Sequence, residues 1–103
     1  MPHYLFSYGS LQDEAVQLRI FKRKLIGIAA ILYGYHFVEN EYLGKFPVIY
    51  ASTNSQNTVK GMVYEITKTE LSLCDQYETD YYKRINIVLP LHPQAWVYVR
   101  NSR

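Results

Sequence analysis

Cysteine occurs once, at Cys74, so no intramolecular disulfide can staple this fold. That usage points to a reducing compartment, and the cytoplasm is the expected location. Long apolar runs are missing too. The longest, Leu25–Tyr35, is broken by Gly27 and Gly34 and is too short to span a bilayer. The N-terminal stretch lacks a basic leader followed by an apolar core, so no secretory signal is expected.

Charge of one sign is also scarce. Eleven Lys and Arg stand against nine Asp and Glu, and the net charge of +2 gives no concentrated basic footprint for nucleic acid. The three histidines, His3, His36 and His92, are scattered without ligand spacing, so no metal site is expected. Glycine is too sparse for a Walker loop or a dinucleotide fingerprint, and "YGSLQ" is not a Gly-x-Ser-x-Gly elbow.

What the chain has in abundance is tyrosine, eleven in 103 residues. Such side chains suit strands and pocket walls, since the ring is buried while the hydroxyl finds a partner. The length fits one domain, residues 1–103, with a core of modest size.

The pattern along the chain predicts a strand at His3–Ser7, a turn through Tyr8-Gly9-Ser10, and a helix over Leu11–Arg23 capped by Ser10. Leu11, Ala15, Leu18 and either Phe21 or Lys22 would form its apolar stripe, with Gln12, Arg19 and Arg23 left to solvent. The basic "FKRK" at its end complements the helix dipole. Leu25–Val38 reads as one bent strand, Glu39–Glu41 as a loop, and Phe46–Tyr50 as a strand held to an edge by Pro47. Ser52–Thr58 is a polar hairpin connection. Val59–Ile66 is a strand with Met62, Tyr64 and Ile66 on one face and Val63 on the other. Thr67 and Glu70 have capping-box spacing, which starts a helix running to about Tyr77. The alternating "YYKRINIVLP" and then "AWVYVR" supply the last strands. Two helices cannot cover both faces of so many strands. The expected fold is α+β, a mixed barrel-like sheet of about five to six strands with two helices.

Two segments carry chemistry. "SYGSLQDE" presents backbone N–H groups at a strand-to-helix junction, a setting for a carboxylate or an oxyanion. The plainer alternative is a glycine turn with a serine cap. In "CDQYETDYYKR", Asp75 and Glu78 share a helix face. At the helix end, near Asp75 and among tyrosines, Glu78 would hold its proton more tightly and suit a general base. The alternative is an exposed acidic patch, or pairing with Lys83 or Arg84. Cys74, among Leu71, Leu73 and Tyr77, reads as a packed core thiol.

The ordered set Tyr8-Gly9-Ser10-Leu11, "VKGMVYEI", Asp75-Gln76-Tyr77-Glu78, Tyr82-Lys83-Arg84 and "AWVYV" resembles the γ-glutamylcyclotransferase-like family. The resemblance spans almost the whole chain. It implies a reaction in which the α-amine of a γ-glutamyl group attacks its own γ-carbonyl, giving 5-oxoproline and a free amine or amino acid. It implies Glu78 as base and Tyr8, Gly9, Ser10 and Leu11 as substrate holders, mainly through backbone N–H. Tyr82 would form a wall, with Tyr81 or Tyr42 as further candidates, and Arg84 would be structural. No metal or cofactor is implied. The implied partner is a small γ-glutamyl compound rather than nucleic acid or membrane, and the oligomeric state stays open. Many members of the family place glycine after the glutamate, where this chain has Thr79. The rival reading is a non-catalytic binding or interaction domain on the same fold, which has no need of a carboxylate such as Glu78.

Overall fold

A computed structural model describes residues 2–101. Strand β1 (His3–Ser7) leads through a 3-10 turn (Ser10–Gln12) into α1 (Glu14–Phe21). Strands β2 (Gly27–Tyr33), β3 (Tyr35–Tyr42), β4 (Phe46–Ala51) and β5 (Thr58–Ile66) follow. Helix α2 (Lys68–Glu78) and strands β6 (Tyr82–Leu89) and β7 (His92–Arg100) complete the described chain.

Five strands form one sheet in the order β2-β5-β1-β7-β6, and β3 pairs with β4 alone. Within the larger sheet β1 and β7 run parallel, and the other pairs are antiparallel. The α+β class with two helices is as expected. The count is seven strands rather than five to six, and the described sheets do not close into a barrel.

Gly34 is where the expected single strand Leu25–Val38 divides. Its φ of +85° turns the chain, and its N–H and C=O bond Asn57 O (2.8 Å) and Ser52 N (2.9 Å). The segment 39–41, expected as a loop, lies inside β3, where the pairing with β4 shifts between Val38 and Tyr42 and Asn40 takes φ +54°. Pro47 sits in β4, which has a partner on one side only, as proline in a strand requires.

The two-residue period of the central strands places successive side chains in different cores. Leu5, Tyr64, Ile66 and Tyr98 pack with Leu11, Phe21, Leu71 and Cys74 on the helix side. Phe6, Val63 and Val97 pack with Leu32, Ile49 and Leu89 on the other side. Fully burying a side chain of this size contributes about 1.5–3 kcal/mol, so β1, buried on both faces, anchors the domain. The smaller sheet covers the face that barrel closure would otherwise have had to bury.

The first helix departs most from expectation. Asp13, not Ser10, caps α1, with Oδ1 accepting from Ala15 N at 2.8 Å. Ala15 and Leu18 are exposed, while Gln17 and Phe21 are buried. Gln17 is only 2% exposed because its amide bridges Leu11 O (2.8 Å) and Leu25 N (2.9 Å), tying both ends of the helix together. Arg23, expected in solvent, holds Glu70 with two bonds of 2.7 and 2.8 Å, and Lys24 lies 3.3 Å from Glu14. In α2 the capping box between Thr67 and Glu70 is complete. Among the described residues no helix is long and apolar enough to cross a membrane.

Candidate active site

The chain leaves β1 at Ser7, in the middle of the large sheet, and turns at once through Tyr8–Leu11. Leu11 is buried in the helix-side core and fixes the turn from beneath. Hydrogen bonds inside the turn run from Gln12 N to Gly9 O (3.1 Å) and from Asp13 N to Ser10 O (3.0 Å). Among the described residues, none is donated by the backbone N–H of Gly9, Ser10 or Leu11. These are the donors that the start of any helical turn leaves free. They belong to the 3-10 turn rather than to the first turn of α1, so the α1 dipole expected here is displaced to Glu14. Gly9 has φ −131°, outside the left-handed region. A Cβ there would stand 3.5 Å from Pro47 Cγ, an ordinary contact on the wall of a cavity.

That cavity, about 30 Å³, is bordered by Tyr8, Gly9, Ser10 and Leu11 on one side and by Glu78, Tyr82 and Tyr98 on the other. A more open, outer hollow of about 110 Å³, walled by Ser10, Tyr42, Phe46, Tyr77, Glu78 and Tyr82, shares Ser10, Phe46, Glu78 and Tyr82 with it. Glu78, the last residue of α2, borders both spaces. The five turn and wall positions read from the sequence and Glu78 thus meet around one cavity.

Burial alone raises the Glu78 carboxyl from its ordinary 4.5 to about 7, with no neighbouring cation to offset it. Asp75 makes no contribution to this, contrary to the sequence expectation. Its own carboxylate is engaged elsewhere, accepting from Tyr98 Oη at 2.6 Å with Arg84 Nε at 3.4 Å. The two acidic residues therefore divide the alternatives: Asp75 is paired at the surface and Glu78 is enclosed. Arg84 also stacks on Trp96, its guanidinium carbon 4.3 Å from the ring centre, which fits a structural role.

The tyrosines are fixed by their hydroxyls. Tyr8 donates to Tyr98 O (2.7 Å) and Tyr82 to Pro47 O (2.7 Å), and burial foremost raises both phenols, with Tyr82 and then Glu78 adding at Tyr8 and Glu78 adding at Tyr82. Both therefore present ring surface to the cavity while their protons stay on structural bonds. Tyr42 stacks on Tyr81 at 4.2 Å and meets Tyr82 edge-on at 5.8 Å. Tyr42 reaches the outer hollow; Tyr81 supports it from behind, bonding Glu41 at 3.1 Å and lying under Arg100.

Three contributors escaped the sequence reading. Ser10 Oγ is 2.6 Å from Tyr77 Oη, so a tyrosine beside Glu78 ties the turn to α2. Tyr98 joins Tyr8 to Asp75, and Phe46 supplies wall. No periodicity flags a bond between residues so far apart in the chain. Cys74 is buried, and its thiol is pushed up to about 12 by that burial and by Glu78 and Asp75, as a core thiol would be.

No curated protein sequence matches the chain. The solution structure of At3g28950.1 from Arabidopsis thaliana is 29% identical, with a TM-score of 0.79, over 97% of this chain and 62% of that one. A second Arabidopsis thaliana solution structure, At5g39720.1, is 26% identical with the same TM-score, over 98% and 70%. The chain thus spans about six- to seven-tenths of the length of these relatives. A solved gamma-glutamyl cyclotransferase shares the fold at a TM-score of 0.72 and 19% identity, over 98% of this chain and 68% of its own. The family model described as gamma-glutamyl cyclotransferase, AIG2-like, matches residues 5–103. The chain belongs to that family.

Proposed function

We propose that the protein is a γ-glutamyl cyclotransferase that closes a γ-glutamyl group into 5-oxoproline and releases an amine or amino acid. One observation carries the reading: the enclosed Glu78 carboxyl borders the same cavity as the free N–H groups of the Tyr8–Leu11 turn.

Near neutral pH about half of the Glu78 carboxyls are ionised, since the group titrates at about 7. The carboxylate takes a proton from the substrate α-ammonium, and the freed amine attacks the γ-carbonyl carbon. A C–N bond forms, and the carbonyl oxygen gathers negative charge. The N–H groups of Gly9, Ser10 and Leu11 stabilise that oxygen, or the substrate α-carboxylate. Glu78 then returns that proton to the departing nitrogen as the original amide C–N bond breaks, and the ring nitrogen's surplus proton follows by the same route, so the product is a lactam N–H and the amine leaves as its ammonium. A base matched to the working pH serves both transfers. The rings of Tyr8 and Tyr82 confine the flexible glutamyl chain and remove its entropy before the chemical step.

The test is 5-oxoproline release across a panel of γ-glutamyl amino acids and γ-glutamyl amines. Wild type turns over at least one of them, and Glu78→Gln loses at least a hundredfold in kcat, the lower range for general acid–base catalysis. Equal rates would remove Glu78 as base. No turnover on any substrate would leave the non-catalytic binding domain.

A further inference from the structure

Tyr98 occupies an unusual place, because it is bonded to both halves of the site through different atoms. Its backbone carbonyl accepts the Tyr8 hydroxyl at 2.7 Å, which holds the turn. Its own hydroxyl donates to Asp75 Oδ1 at 2.6 Å, three residues before Glu78 on α2. The side chain is buried and borders the inner cavity, yet its proton is committed to Asp75. On α2, residues three apart lie on one face, so fixing Asp75 fixes the rotation and height of Glu78. Arg84 Nε, 3.4 Å from the same Asp75 oxygen, steadies the acceptor.

We propose that Tyr98 and Asp75 form a positioning pair that sets Glu78 at its place across from the Tyr8–Leu11 turn. Neither is a catalytic residue. The strand β7 carries a single side chain that measures the gap between base and donors, because its main chain holds one wall and its hydroxyl the other. The geometric part stands by itself; the kinetic part rests on the reaction proposed above.

A buried tyrosine hydroxyl needs some acceptor for stability alone, so the test must read Glu78. The groups that share its cavity walls or feel its charge are Tyr8 and Ser10 of the turn, Cys74 and Tyr77 of α2, Tyr42 of β3, Tyr82 of β6 and Tyr98 of β7. None of these is a cation, so loosening α2 exchanges enclosure for water and lowers the carboxyl's midpoint. In Tyr98→Phe, carbon-13 NMR of labelled glutamate side chains is expected to show the Glu78 resonance titrating lower than in wild type. 5-Oxoproline release should fall about tenfold in kcat with little change in KM, the signature of a displaced group rather than a lost binding contact. Asp75→Leu should match it, and the double variant should be no worse than either single. Asp75→Asn keeps an oxygen acceptor and should retain near wild-type behaviour.

An unchanged Glu78 midpoint in Tyr98→Phe would overturn the pair. So would Asp75→Asn being as impaired as Asp75→Leu, which would make charge, not the bond, the relevant property. If wild type releases no 5-oxoproline at all, the reaction fails, and the NMR titration alone decides the positioning.

Discussion

Ser10 Oγ and Tyr77 Oη lie 2.6 Å apart and join the N-terminal turn to the last turn of α2, one residue before Glu78. The partners are 67 positions apart in sequence. This bond gives Ser10 a role different from the cap its position suggested. Removing it with Tyr77→Phe keeps the ring in the wall and deletes one hydroxyl. A net loss of about 1 kcal/mol in stability is expected from chemical denaturation. The rate of 5-oxoproline release should fall more than the binding of a product analogue, because the donors of the turn lose their register with the base. Unchanged kcat in a folded Tyr77→Phe protein would show that the turn is held without this link.

Thr79 follows Glu78 with φ +64° and ψ −178°, a region that glycine occupies and a β-branched residue enters only under strain. The family resemblance, with glycine at this position in many members, has its physical reason here. Thr79 gives back little, since its hydroxyl contacts Tyr81 N and Tyr42 Oη only at 3.5 Å. Thr79→Gly is expected to stabilise the protein by about 1 kcal/mol, after the entropy that glycine gains on unfolding is subtracted. In thermal unfolding this raises Tm by about 4–8 °C for a domain of this size. A lower Tm would mean that the two long contacts outweigh the backbone strain.

Glu78 makes the folded state bind a proton more tightly than the unfolded chain, at about 7 against an ordinary 4.5. Where the folded state holds more protons, stability falls as pH rises. The loss therefore runs from about pH 4.5 to about pH 7 and is complete above that window. It amounts to about 3 kcal/mol from the constant per pH unit. Glu78→Gln removes the ionisation, so its Tm should exceed that of wild type at pH 8 and match it at pH 4. Activity should move the other way: kcat/KM of the wild type should rise through pH 7 as the base ionises. A variant no more stable than wild type at pH 8 would show that the carboxyl is well solvated.

Gly61 on β5 packs against the end of β1 so closely that a Cβ would stand 2.3 Å from Ser7 O and 2.8 Å from Phe6 Cζ. The nearest atom is backbone, which cannot step aside as a flexible side chain would. Gly61→Ala should cost about 1–3 kcal/mol as an overpacked core does. It should also reduce activity beyond what stability explains, because Ser7 leads directly into Tyr8–Leu11. Denaturant midpoints and initial rates measured on folded protein separate the two effects. A wild-type midpoint would mean that β1 moves freely, against its burial on both faces.

Much of the molecule was legible in the chain itself, because the controlling interactions are local or periodic. The capping box of α2 is a three-residue spacing, and the two faces of β5 follow from alternation. The γ-glutamylcyclotransferase-like resemblance and the belief that Glu78 and the Tyr8–Leu11 turn belong together needed only short motifs in the right order. The first helix was misread because apolar spacing favoured Ala15 and Leu18, whereas the buried Gln17 earns its place through two backbone hydrogen bonds that no hydrophobic pattern records. The single strand expected over Leu25–Val38 became two because Gly34 accepts a positive φ, a backbone choice that composition permits but does not require.

Tertiary structure alone decided which carboxylate is enclosed. In sequence, Asp75 and Glu78 share one helix face, and Glu78 is set apart by its place at the helix end among tyrosines and by the family resemblance, neither of which encloses it. In the fold, Asp75 meets Tyr98 and Arg84 and stays paired, while Glu78 turns into a cavity with no cation beside it and holds its proton up to about pH 7. Sequence determined that a carboxylate, a turn of free N–H groups and many tyrosines would be present. The packing of α2 against β1 and β7 decided which of them share a space, because desolvation depends on neighbours in three dimensions rather than on neighbours in the chain.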